Sequence, residues 1–229
     1  IKMKSFNTKN PVLRFFVTSR LVALRGLGSI FTFLFFAGCG EGNSEGKLVI
    51  VSTTTHVTDI VKFVAGDRLD VIALMGPGVD PHLYKPSAGD AATLAKADLI
   101  FFSGLMLEGR MADVFAKVSR RGTRAYAVTE NVSEELLLEP EEFEGHWDPH
   151  VWFDPVIWSK CIDVVSNALA ENDPEGKAGY TERAEALKKE YLAVTEWAKV
   201  RISGLPKESR YLVTSHDAFN YFGDRKSVV

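Results

Sequence analysis

Lys47-Leu48-Val49-Ile50-Val51-Ser52 is a short, mostly apolar run, and an amphipathic stretch over 56–65 follows it directly. The same order recurs along the chain. Leu69–Met75, Asp98–Phe102 and Arg124–Val128 are further short runs rich in Val, Ile, Leu and Phe, with turn residues nearby. Continuous apolar runs of this length fit strands covered on both faces. Helix candidates lie at 87–96 and 108–120, and a fourth runs from about Pro155 to Glu171. Ser87-Ala88-Gly89-Asp90 has the spacing of a capping box, with Asp in place of Glu or Gln. Strand–helix units in a row predict an α/β fold built on a parallel sheet.

Downstream, Tyr180, Ala184, Leu187, Tyr191, Val194, Ala198 and Ile202 recur every three or four residues, and charged residues such as Glu182, Arg183, Lys188, Lys189 and Glu190 fill the other face. That pattern predicts one helix over Tyr180–Ile202, about 35 Å long at ~1.5 Å per residue, closed by Gly204 and Pro206. Arg210–Ser215 reads as a new strand and Asp217–Gly223 as the start of another helix. The expected organisation is a parallel-sheet lobe over 47–175, a backbone helix over 176–205, and a second lobe only begun at 206–229, as in a C-terminally truncated chain.

Residues 1–38 carry a different pattern. Lys2, Lys4, Lys9, Arg14, Arg20 and Arg25 stand without any acidic residue, and an apolar run from Leu27 to Gly38 follows, ending in Phe36-Ala37-Gly38-Cys39. Basic, then apolar, then small is the order of a secretory signal, and the run falls short of the roughly 20 residues a spanning helix needs. A cysteine directly after Ala37-Gly38 resembles a bacterial lipobox, which makes Cys39 the expected lipidated N-terminus; Phe36 departs from the usual Leu. Residues 39–46, with Gly40, Gly42, Asn43, Ser44 and Gly46, read as a flexible tether. The whole chain has 27 basic and 30 acidic residues, of which 1–38 holds six basic and none acidic; 21 against 30 remain, a net charge of −9 with His neutral. No basic footprint for nucleic acid exists, and an acidic surface suits the handling of cations.

Chemistry concentrates on three histidines. Asp80-Pro81-His82 lies just past the second strand, Asp148-Pro149-His150 in the long loop after the fourth, and Ser215-His216-Asp217 at the end of the fifth. Strand ends and their loops are where α/β proteins gather ligand sites. In the two Asp-Pro-His copies proline fixes its own φ and restricts the residue before it, so His82 and His150 each start from a stiff backbone. Asp80, Asp148 and Asp217 are candidates to accept the imidazole N–H and set its tautomer, a common arrangement behind metal ligands. His82, His150 and His216 are therefore the expected metal ligands. His56 and His146 are expected not to be permanent ligands.

Other chemistries find little support. The chain has no His-Glu-x-x-His helix, no Gly-x-x-x-x-Gly-Lys loop, no Gly-x-Ser-x-Gly elbow and no Gly-x-Gly-x-x-Gly fingerprint. Asp59, Glu108 and Asp154 stand near helix starts, where carboxylates usually serve caps and dipoles. Cys161 reads as a small buried apolar residue of a helix.

Met75-Gly76-Pro77-Gly78-Val79-Asp80-Pro81-His82-Leu83-Tyr84, Ala97-Asp98-Leu99-Ile100, Asp148-Pro149-His150-Val151-Trp152-Phe153-Asp154 and Val213-Thr214-Ser215-His216-Asp217-Ala218-Phe219 together resemble the TroA-like metal receptors. These are the solute-binding proteins of zinc and manganese ABC importers, also called cluster A-I receptors or periplasmic solute-binding protein family 9. The resemblance runs from about Lys47 to Gly223. It implies two α/β lobes joined by a long helix, with metal in the cleft between them held by His82, His150, His216 and an acidic residue of the second lobe beyond the end of this sequence. It implies a monomeric, exported, non-enzymatic receptor, lipid-anchored at the cell membrane or periplasmic, that carries Zn2+ or Mn2+ to an ABC permease and its ATPase. Three imidazoles tilt the expected metal towards zinc, while the short acidic stretch Glu139–His150, without a histidine-rich run, weakens that preference. The alternatives are a surface adhesion lipoprotein with a structural metal and, less favoured, a zinc-dependent hydrolase.

Overall fold

A computed structural model describes residues 47–224 apart from Glu144. The signal segment 1–38, Cys39 and the whole of the tether 39–46 lie outside the described residues, as do residues 225–229.

Four parallel strands form one sheet in the order β2-β1-β3-β4: β1 Val49–Ser52, β2 Asp70–Ala73, β3 Leu99–Phe102 and β4 Arg124–Ala127. The period of two along a strand sends Ile50, Leu99 and Phe101 to one face and Val51 and Ile100 to the other, all of them buried. On the first face lie α1 (Thr55–Ala65), α4 (Pro155–Asn172) and α5 (Lys177–Ser203), which bring Val57, Ile60, Val61, Trp158, Ile162, Val165, Leu169 and Tyr180 into one core. On the second lie α2 (Ala88–Leu94) and α3 (Ala112–Ser119), with Leu94, Phe115 and Val118 packed beside Met75 and Met111. The result is the layered α/β arrangement that the sequence pattern predicts. Central β1 and β3 are covered on both faces as expected. β2 is an edge strand instead, with Asp70 and Ala73 exposed and Ile72 43% exposed.

Local chemistry sets the helix ends. Ser87 and Asp90 form the expected capping box at α2. Asp154 Oδ1 accepts the N–H groups of Val156 and Ile157 at 2.9 and 3.3 Å, ahead of Pro155 in the first turn of α4. Cys161 is fully buried in α4, and burial pushes its thiol up to about 12.

α5 has 27 residues, about 40 Å at ~1.5 Å per residue. Its first half is packed, with Tyr180, Ala184 and Leu187 buried. Arg183 donates from Nε to Val64 O at 2.8 Å and from Nη2 to Ala65 O at 3.0 Å, satisfying the last carbonyls of α1. The outer half departs from the predicted stripe at Val194, which is 51% exposed, and Trp197, outside the stripe, is 61% exposed. The predicted strand Arg210–Ser215 is not formed. A strand needs a neighbour to pair its backbone groups; no strand pairs with this segment among the described residues, and Val213 is 93% exposed. The predicted helix after it is a single turn, α6 (Asn220–Asp224).

The entry to α5 is tied by charge. Arg68 donates from Nε to Asp173 Oδ2 and from Nη2 to Asp173 Oδ1 at 2.7 Å, and the Tyr180 hydroxyl donates to the same carboxylate. The Arg68 guanidinium, aided by Tyr180, holds the Asp173 carboxyl at about 2, below the usual carboxylate range. A depressed carboxyl stabilises the fold above its unfolded value near 4 and stops doing so as pH falls towards 2. Unfolding measured by urea titration is expected to show stability falling through that window, and Arg68→Ala to flatten the fall. An identical acid profile in Arg68→Ala would remove this pair as its source.

Candidate metal centre

In a parallel sheet all strands end on one edge, and the loops there carry the histidines. His82 sits in the loop between β2 and α2, and His150 in the loop between β4 and α4 at the start of a 3₁₀ turn, Val151–Phe153. The repeated Asp-Pro-His does the same thing twice. Asp80 Oδ1 accepts the backbone N–H of His82 and Asp148 Oδ1 that of His150, each at 2.9 Å, which fixes the chain direction two residues on.

Three rings then converge. His82 Nε2 lies 3.2 Å and His216 Nε2 3.1 Å from His150 Nε2. Among the described residues these three form a group whose ligand-type nitrogens all lie within 4.8 Å of one another. His150 is buried, His82 half-buried and His216 exposed, so the group opens outward through His216. The cavity around it, about 340 Å³, is lined by Asp80, Pro81, Trp152, Phe153, Ala218 and Phe219 besides the three histidines. A larger groove, about 760 Å³, runs beside Leu138, Ile202, Leu205, Leu212 and Phe222. It is bigger, but the converging nitrogens lie in the smaller cavity.

The supporting carboxylates differ. His150 Nδ1 lies 2.6 Å from Asp148 Oδ1, and Asp148 is wholly buried. An ionised carboxylate only accepts, so Nδ1 carries the proton and Nε2 presents a bare lone pair to the cluster. Asp80 contacts the backbone of His82 rather than its ring. Asp217 Oδ2 accepts from the Asn220 amide at 3.2 Å. Burial, and then the charge a protonated His150 would carry, lower the pKa of His82 and favour its neutral, ligand-capable form.

His56 stands beside the cluster and outside it. Its ring stacks on Trp152 with centroids 4.0 Å apart, and Trp152 in turn meets His150 edge-on at 5.2 Å. His146 is exposed and lies outside the cluster too. Glu108 departs from its expected role as a helix-start charge: it is buried and accepts from Thr53 Oγ1 and Ser103 N. Sequence reasoning missed Trp152, Asn220 and Tyr221. Tyr221 donates to Asp148 O at 2.9 Å and accepts from Leu138 N, which ties α6 to the His150 loop. The one hint in the sequence is the Asp217…Asn220 spacing of three, too common to stand out.

An α/β sheet with three imidazoles gathered at its strand ends offers the donor set of a divalent-metal site. The chain belongs to the family described as zinc-uptake complex component A, periplasmic, whose model matches residues 50–228. It is 37% identical over 207 residues to the manganese-binding lipoprotein MntA of Bacillus subtilis, covering 87% of this chain and 67% of that protein. It is 40% identical over 199 residues to the zinc-binding protein TroA of Treponema pallidum, covering 86% and 63%. The solved structure of that periplasmic zinc-binding TroA superimposes with a TM-score of 0.73 over 78% of this chain and 63% of that one. The chain thus spans roughly two thirds of the length of these relatives.

Burial, and then the charge a protonated His150 would carry, lower the His56 pKa from 6.5 to about 4. His56 is therefore neutral when folded and takes up a proton when unfolded below about 6.5, so stability falls as pH drops from about 6.5 towards 4. In metal-free protein, denaturant unfolding at about pH 7 and about pH 5 is expected to give a smaller stability difference in His56→Phe than in wild type. An equal difference would assign the slope elsewhere.

Proposed function

We propose that the chain belongs to an extracytoplasmic receptor that captures a divalent transition metal, zinc before manganese, and delivers it to an ABC importer. The observation that carries this reading is the convergence of His82, His150 and His216 on one point, with the His150 lone pair set by Asp148. Three imidazole nitrogens suit zinc, with Zn–N near ~2.0–2.1 Å; harder oxygen donors would favour manganese. A tetrahedral site also needs a fourth donor, which in this reading is an acidic residue of the second lobe.

Capture and delivery, rather than catalysis, is the role these residues support. Asp80 is the one carboxylate lining the cavity among the described residues, and one of its oxygens is engaged on the His82 backbone. The remaining assignments follow the same reading. Residues 1–38 export the chain, Cys39 carries the lipid anchor and 39–46 tether it. Residues 47–175 form the first lobe, 176–205 the connecting helix and 206–229 the opening of the second. Asp80, Asp148 and Asp217 support the ligands, and the loaded monomer docks on a permease driven by an ATPase.

Calorimetry on the full-length chain with zinc and with manganese tests the site. Zinc is expected to bind more tightly, and His82→Ala, His150→Ala and His216→Ala each to weaken it by about 100-fold or more, since each removes one of the few nitrogen ligands. Unchanged affinity in the His82 and His150 variants would overturn the assignment.

A further inference from the structure

Asp148 is a wholly buried carboxylate with both oxygens in use. Oδ1 accepts from the backbone and ring N–H groups of His150. Oδ2 accepts from Asn220 Nδ2 at 3.1 Å, and the same amide donates to Asp217 Oδ2 at 3.2 Å. Asn220 opens α6, only four residues after His216, whereas Asp148 belongs to the loop that carries His150. One half-buried amide therefore bridges the two chain segments whose imidazoles must meet.

We infer that Asn220 is a positioning residue of the metal site: by holding Asp148 Oδ2 it keeps Oδ1 turned to His150 Nδ1, and it fixes the His216 segment to that carboxylate. An amide is suited to the position because it supplies N–H donors to two carboxylates without a charge of its own. Aspartate at 220 would have nearly the same shape and no donor. Three carboxylates would then crowd one place, and like charges repel. Asp148 would turn away and release the His150 ring. Tyr221 acts differently: it binds the backbone of Asp148, so it holds the loop without touching the carboxylate.

The test uses the full-length protein and two readouts, zinc affinity by calorimetry and the His150 tautomer by long-range 1H–15N NMR of metal-free protein, assigned with His150→Ala. Only the affinity readout rests on the metal-receptor reading. Asn220→Ala is expected to weaken zinc binding about tenfold and Asn220→Asp about 100-fold, the range found when partners of metal ligands are lost. In Asn220→Asp the His150 signals should leave the pure Nδ1–H form, while Tyr221→Phe lowers Tm and keeps that form. A pure Nδ1–H His150 in Asn220→Asp, or the same tautomer shift in Tyr221→Phe, would overturn the inference. Should Asn220→Asp not fold, Asn220→Ala decides: a loss above about threefold supports a positioning role and a smaller one overturns it. If wild type binds neither zinc nor manganese, the receptor reading falls and the tautomer readout still decides the role of Asn220.

Discussion

The 2.6 Å contact between His150 Nδ1 and Asp148 Oδ1, wholly out of water, is the interaction on which the site depends. A buried carboxylate is costly unless its lone pairs are met, and here each donor that meets them belongs to the site. The His150 backbone and ring take one oxygen and Asn220 takes the other. The Asp148 backbone is held as well, its N–H on Leu138 O at 2.8 Å and its carbonyl on Tyr221. Removing Asn220 from Oδ2 or Tyr221 from the carbonyl leaves a buried polar atom of Asp148 without that donor, at about 1–3 kcal/mol. The same network that makes the charge tolerable also aims Nε2 at the other two rings.

A second buried carboxylate steadies the neighbouring loops. Glu108 receives Thr53 Oγ1 at 2.6 Å, from just past β1, and Ser103 N at 2.8 Å, from just past β3. Burial pushes its carboxyl up, and these hydrogen bonds oppose the shift. The backbone between is unusual: Gly104, Leu105 and Met106 all have positive φ, at 90°, 50° and 63°. A side chain at Gly104 would lie 2.4 Å from Thr129 Oγ1, so glycine is required there for space as well as for φ. Left-handed Leu and Met persist only where the surroundings fix them, and the Glu108 contacts at the base of this loop supply that constraint.

Period and spacing made most of this legible in the sequence. The four strands and the helices that follow them came from apolar runs and turns because burial on both faces leaves a plain signal in β1 and β3. His82 and His150 were legible because proline and aspartate mark a rigid turn whatever surrounds it. What the sequence could not give was anything set by a partner distant in the chain. Ile72 looks like a core residue until β2 is known to be an edge. Arg210–Ser215 has strand composition, but composition does not supply a neighbouring strand. Asn220 meets Asp148 across 72 positions, and no local pattern encodes that pairing.

The position of His216 follows from where its segment is tied. α5 is fixed at its inner half by Tyr180, Leu187 and the Arg183 grip on α1, and its outer half has little buried surface beyond Thr195. Ion pairs such as Lys199–Glu196 add about 0.2–0.5 kcal/mol each, so the outer turns persist mainly by propagation from the packed ones. After the helix, Arg210 ties back to the carbonyls of Ser203 and Leu205, and residues 211–217 are exposed. Neither the long helix nor the extended segment can hold an imidazole to within a few tenths of an ångström. That placement comes from the far side, where Asn220 and Tyr221 fasten α6 to the His150 loop. The three nitrogens meet because the segment carrying His216 is fastened just beyond it to the very carboxylate that orients His150.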